Sequence, residues 1–183
     1  MSDFVYVEPH ELCGNVFDEI GNRWLIIGCR DDEKDNLNLM TASWGTMGVL
    51  WGKPICTLFV RPGRYTRELA DKTDTLTVSV FDEKYRDQLR LCGTKSGRDV
   101  DKAKLCGFTT FEKDGFVGVN EADRVYLLKK LYTDMLRPEN LLDQSVEKWY
   151  PIKDYHKVYI CEIVGVLDKK ADNKNSEEAA PNV

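Results

Sequence analysis

Short apolar runs, each closed by a turn signal, follow one another along this chain with little between them. That spacing limits what it can fold into more than any other feature. "NRWLIIGCR" is apolar and bounded by charge, so it reads as a buried strand. "DDEKDN" is a turn, "LNLMTASW" a second strand, and the pair makes a hairpin. "KPICTLFVR" is a third strand, with Pro54 near its start, where a missing N–H is tolerated. "RPGRYTRELADKT" turns at Pro62-Gly63 and becomes helical, and "DTLTVSVF" alternates as a strand should. "DEKYRDQLRLCG" reads as a helix with acid in its first turn and Gly93 past its end. "GRDVDKAKLCG" is a second short helix with the same glycine stop. "FTTFEKDGFVGV" is a hairpin about Asp114-Gly115, and "YHKVYICEIVGVL" is a late strand. "DRVYLLKKLYTDML" carries Val125, Leu128, Tyr132 and Met135 at helical spacing, which predicts a helix.

Strands in sequence order with short connections imply a mainly antiparallel β structure with a few short helices, a barrel or sandwich rather than a doubly wound sheet. The 183 residues suit one domain, residues 1–167, large enough to do without disulfide staples. The polar remainder, 168–183, reads as a mobile tail. The longest apolar runs fall far short of the roughly 18–20 residues of a spanning helix. The first residues lack the pattern of a secretory signal, so the expectation is a cytoplasmic protein that binds no membrane. A net charge of −5 argues against a nucleic-acid partner. The six cysteines are scattered singly and only two histidines exist, so no metal site is expected and the thiols read as buried small hydrophobes.

Two stretches depart from ordinary core. In "MTASWG" a strand sheds its bulk, and Met40, Thr41, Ala42, Ser43 and Trp44 present two hydroxyls and an indole. An indole can wall a flat ring. "RPGRYTRE" places Arg61, Arg64 and Arg67 close together beside the hydroxyls of Tyr65 and Thr66. Thr66 is positioned to cap the helix, whose free N–H groups and dipole suit a phosphate, and guanidinium groups add donor forks. Taken singly, a T-x-S pair also fits an exposed strand face, and an arginine-rich turn also fits a solvated surface. No G-x-G-x-x-G or Walker-type glycine loop is present, so any nucleotide has to be held by another device.

Taken in order, "NLMTASWG", "RPGRYTRELAD", "LCGTKSGRDVDKAKLCGFT" and "YPIKDYHKVYICEIVGVL" resemble the flavin reductase-like family, most closely its flavoredoxin-like branch, over roughly residues 22–167. That resemblance implies a six-stranded split barrel that forms a homodimer with FMN near the interface. It places Thr41 and Ser43 where the strand motif meets flavin and phosphate, with Trp44 at the isoalloxazine end. Arg64, Tyr65 and Thr66 match the phosphate side, with Arg61 a possible addition. Lys95 and Ser96 match a loop closing over the cofactor, and His156 a histidine near the following strand, as the candidate catalytic group. It also implies a strand, not a helix, over 125–136. The implied activity is hydride transfer from NAD(P)H to flavin, and onward transfer to an unknown acceptor. The alternatives are an FMN electron carrier with no nicotinamide site and a non-catalytic flavin-binding module.

Overall fold

The computed structural model describes residues 4–169. Ten strands are present: β1 (Phe4–Val7), β2 (Leu25–Asp31), β3 (Asn36–Ala42), β4 (Gly45–Leu50), β5 (Lys53–Val60), β6 (Thr75–Val80), β7 (Thr110–Lys113), β8 (Phe116–Val119), β9 (Arg124–Met135) and β10 (Lys157–Lys169). Three α-helices join them: α1 (Tyr65–Lys72), α2 (Arg86–Thr94) and α3 (Lys102–Cys106). Apart from Asp168 and Lys169, which complete β10, the polar tail lies outside the described residues.

The expected six-stranded split barrel is corrected. The main sheet has eight strands in the order β3-β2-β6-β9-β10-β5-β4, with β1 added on β10, and its path stays open. No ladder joins β3 to β4 among the described residues, although only Ser43 and Trp44 separate them in sequence. The mainly antiparallel character holds, since every strand pair is antiparallel.

One face of the sheet carries the larger core cluster. Alternate residues of the strands meet there: Leu25, Ile27 and Cys29 from β2, Leu76, Val78 and Val80 from β6, and Tyr159, Cys161 and Ile163 from β10. Residues of opposite pleat, Ile26 of β2, Val125 and Leu127 of β9 and Leu167 of β10, face a second cluster. Helices α2 and α3 and the β7–β8 hairpin cover it through Leu89, Cys92, Ala103, Phe111 and Val117. The Thr77 hydroxyl fastens that hairpin by donating to the Val117 carbonyl at 2.7 Å.

Helical spacing fails in β9. The segment pairs with β6 on one side and β10 on the other, and a register shift at Ile160/Cys161 skips Leu131. Two ladders outweigh the local preference of leucine and lysine for helix, as the resemblance implied. β1 and β4 were not foreseen. β4 carries two glycines and is mostly exposed, so it lacks the alternation of a half-buried strand. Its hairpin to β5 turns on Trp51 and Gly52, at φ 53° and 71°, as the β7–β8 hairpin turns on Asp114 and Gly115, at 51° and 79°. Gly93 lies inside α2 rather than past its end, whereas Gly107 ends α3 in the left-handed region as expected.

A buried ion cluster ties the N-terminal segment to the sheet. Arg124 contacts Glu19 and Asp168, both at 2.7 Å, and the Tyr126 hydroxyl donates to Glu19 at 2.7 Å. Arg124→Ala leaves Glu19 buried without its counter-charge, so urea unfolding is expected to show a loss of about 3–5 kcal/mol.

Candidate functional site

β3 and the start of α1 form one wall of the site. β3 ends as its side chains shrink to Thr41 and Ala42, and the chain then passes through Ser43 and Trp44 to β4. After β5, Pro62 and Gly63 bring the chain round so that Arg64 becomes the residue preceding α1, with φ −78° and ψ 133°. The loop between α2 and α3 supplies the opposite wall. Two adjoining cavities lie between these elements and share Met40 and Arg64. One, of about 160 Å³, is lined by Met40, Thr41, Ala42, Ser43, Trp44, Phe59, Arg61, Arg64 and His156. The other, of about 150 Å³, is lined by Met40, Gly63, Arg64, Tyr65, Thr66, Thr94, Lys95, Ser96, Gly97, Arg98 and Lys102. Every candidate site residue from the sequence except Arg67 therefore reaches one cavity or the other. A larger, mostly apolar cavity of about 430 Å³, lined by Leu12, Val16, Met47 and Ile163 among others, contains none of them.

Individual roles are more varied than the motifs suggest. Thr66 does not cap α1: it is the second helical residue, and its buried Oγ1 accepts from Asn38 Nδ2 at 2.8 Å. Its own proton stays free to donate. The Thr41 hydroxyl is engaged with the Leu89 carbonyl, so Thr41 offers an acceptor rather than a donor. Arg61 points at its own chain, donating to Asp154 at 2.6 Å and to the Trp149 carbonyl at 2.8 Å. Arg64 donates to the Gly93 carbonyl at 2.7 Å and so links α1 to α2 across the boundary between the cavities. The Tyr65 hydroxyl donates to Asp31 at 2.8 Å. Lys34 fastens the loop by donating to the carbonyls of Gly97 and Arg98 at 2.7 and 2.8 Å. A methyl added at Gly97 would lie 2.0 Å from Asn38 Oδ1, so this close approach requires glycine.

Sequence reasoning missed Lys102. In "DKAKL" it looks like a solvated helix lysine, yet it is 4% exposed. Its ammonium donates to the carbonyls of Leu39 at 2.6 Å and Cys92 at 2.9 Å. An ammonium has three protons, so one remains for the cavity. Burial first, and Arg64 among its neighbours, push its pKa below the ordinary lysine value. Arg64, Lys95, Arg98 and Lys102 all line this cavity and no carboxylate does, although Arg98 pairs with Glu68 outside it. The arrangement favours a compact anion that would relieve the buried charge.

The Trp44 cavity has a different character. The Trp44 ring lies 5.1 Å from His156 and edge-on to Trp149 at 5.6 Å. His156 is buried, and its Nδ1 is 2.9 Å from the Tyr150 hydroxyl. Burial, then the positive charge of Arg61, lowers the His156 pKa to about 4. Burial raises that of Tyr150, so a protonated tyrosine and a neutral imidazole share this hydrogen bond.

The chain belongs to the flavin reductase like domain family, which it matches over residues 17–178. No curated protein matches it. Among solved structures it is similar to flavoredoxin from Methanosarcina acetivorans, at 18% identity and a TM-score of 0.63, covering 81% of this chain and 69% of that one. It is similar to the FMN-binding protein from Thermus thermophilus with bound p-hydroxybenzaldehyde, at 19% and 0.65, covering 90% and 82%. It is also similar to nitrilotriacetate monooxygenase component B from Bacillus cereus, at 16% and 0.64, covering 91% and 82%. At these identities the structures share the fold. Among the described residues no cluster could hold a metal ion, and no helix is long and apolar enough to cross a membrane.

The depressed His156 pKa has a checkable sign. Above about pH 6.5 the imidazole is neutral both folded and unfolded. Below that the unfolded chain takes up a proton that the folded chain refuses until about pH 4. Stability is therefore expected to fall between pH 6.5 and 4, and His156→Gln should flatten that part of the profile in urea titrations.

Proposed function

We propose that the chain binds FMN across the two cavities and works as an FMN-dependent electron carrier of the flavoredoxin kind. One observation carries this reading: a buried ammonium and an acid-free, cation-lined cavity open beside a slot of small side chains walled by an indole. A phosphate fits the first chemically and a flat ring the second. Bound FMN supplies one- and two-electron redox chemistry at its ring. Lys102, Arg64 and Ser96, with the N–H groups at the start of α1, hold the phosphate, and the free proton of Thr66 adds a donor. The small side chains of Thr41 to Ser43 let the β3 backbone lie along the ring. Trp44 and His156 screen the ring's far end, and neutral His156 adds no positive charge there.

The carrier reading is favoured because the Trp44 cavity, at about 160 Å³, is below the usual range of about 300–1,000 Å³ for small-molecule pockets. Trp44 is 38% exposed and Trp149 is 51% exposed, so this chain offers an open ring edge rather than a cleft for a dinucleotide. The exposed indoles support a homodimer in which a second copy packs against Trp44 and Trp149. Hydride uptake from NAD(P)H is the second reading, favoured by one feature. His156 lines the Trp44 cavity as a neutral imidazole, a polar partner suited to a carboxamide. Rapid mixing of the FMN-loaded protein with NADH and NADPH separates the two. Bleaching only by dithionite or a reduced protein donor is expected; fast bleaching by either nucleotide replaces the carrier reading with the reductase one. Light scattering that shows a monomer still holding FMN removes the dimer.

Arg64→Ala is expected to weaken FMN binding by about ten- to a hundredfold, the effect of losing one charge-assisted bond of about 1.5–3 kcal/mol. Riboflavin, which lacks the phosphate, should bind the variant as it binds the parent. Calorimetric titration with both flavins checks this, and equal losses for both would move Arg64 from the phosphate to the pocket as a whole.

A further inference from the structure

Two of the cysteines that look scattered in the sequence meet in the fold. Cys92 lies near the end of α2 and Cys106 is the last residue of α3, and their sulfurs are 3.7 Å apart. Cys92 is fully buried, and Cys106 is half-buried with its sulfur 3.7 Å from the Gln88 carbonyl. The pair is therefore asymmetric, with one thiol open to a small reagent and one behind it. Cys56 and Cys161 also face each other, across β5 and β10, but both are fully buried in the sheet core and no reagent reaches them.

Between the paired cysteines the chain forms one wall of the cation-lined cavity. Thr94, Lys95, Ser96, Gly97, Arg98 and Lys102 all lie within that stretch and all line it. Lys102 also donates to the Cys92 carbonyl, so the position of Cys92 and the buried ammonium are mechanically joined.

We propose that Cys92 and Cys106 are a dithiol–disulfide couple, oxidised by small-molecule disulfides, that tethers the loop between α2 and α3. The chemistry is two successive exchanges. The Cys106 thiol gives its proton to solvent and its sulfur attacks one sulfur of the small disulfide, whose S–S bond breaks to release a thiolate. The Cys92 thiol then loses its proton, its sulfur attacks Cys106 in the mixed disulfide, and the second thiolate leaves. Both leaving groups take up protons. The cysteine pair loses two electrons and two protons, and one disulfide becomes two thiols. Burial raises both thiols above their ordinary pKa, so exchange is slow at neutral pH and the couple responds to sustained rather than transient oxidation. Closing the pair removes freedom from the loop between them, whatever occupies the cavity.

The native protein tests this directly. It is incubated with excess glutathione disulfide, alkylated, and digested with trypsin without reduction. The expected product is the fragment 91–95 joined to the fragment 105–113. Cys92→Ser should instead hold a stable glutathione adduct on Cys106, because the second exchange has no thiol. Limited trypsin cleavage of the folded protein after Lys95 and Arg98 should slow severalfold on oxidation, since cleavage needs local opening of the loop. Fragments 91–95 and 105–113 each recovered alkylated would overturn the couple, as would an adduct that persists on Cys106 of the native protein. An unchanged cleavage rate in fully bridged protein would overturn the tether.

Discussion

The central strands of the sheet have to bury both faces, and the site follows from that. In β9 the run Val125 to Leu128 is buried residue by residue, with Tyr126 and Leu128 on the first face and Val125 and Leu127 on the other. The first face is packed in part by Ile20 of the N-terminal segment and by Leu69 and Ala70 of α1. The other face needs a cover, and the chain supplies it with α2, α3 and the β7–β8 hairpin. Once α2 and α3 lie over β3, the loop between them has to pass the start of α1. The cation-lined cavity is the space left at that crossing. Lys102 shows how closely cover and cavity are joined, since it lies on a covering helix while its ammonium bonds the carbonyls of Leu39 in β3 and Cys92 in α2.

Three arginines spaced three residues apart serve three different functions. Arg67 pairs with Asp71 one helical turn on, Arg64 reaches across to Gly93, and Arg61 turns back to Asp154 and Trp149. Only Arg64 belongs to both cavities. Arg61 acts instead on the ring-side cavity through its neighbours: it holds the segment bearing Trp149 and Asp154, and its charge helps keep His156 neutral. A guanidinium three residues earlier or later in the same turn thus meets a different environment, which composition alone does not reveal.

Where local chemistry decides structure, the sequence was readable. Asp114-Gly115 makes its hairpin and Gly107 ends its helix because each needs a backbone conformation that few residues adopt. β2 was readable because an unbroken apolar run bounded by charge leaves little else to be. β9 was not readable from its residues, because its strand state comes from neighbours about 50 residues earlier in β6 and about 30 later in β10, and no local window of 11–18 residues contains them. The open, eight-stranded sheet was hidden for the same reason: β1 and β4 are edge strands with little apolar alternation, and both exist because β10 and β5 offer them a ladder. At the site, residue types were legible and their partners were not. Thr66 reads as a helix cap until Asn38, 28 residues earlier, takes its oxygen.

The two ends of the site are matched to opposite electrostatic requirements, and the fold keeps them apart with few groups. One end gathers Arg64, Lys95, Arg98 and Lys102, and burial, with Arg64 beside it, drives the lysine toward losing its charge. At the other end His156, buried against Trp44 and bonded by Tyr150, has already given up its charge at neutral pH. Met40 and Arg64 are the shared boundary. A ligand with a dianionic tail and a flat, polarisable ring satisfies both ends at once, because the tail restores the charge balance that burial of Lys102 upsets while the ring meets Trp44 and a neutral His156. A ligand with no charge would leave the buried ammonium uncompensated. That asymmetry, rather than any single hydrogen bond, is what the short bulk-free turn from Thr41 to Trp44 and the buried lysine of α3 jointly create.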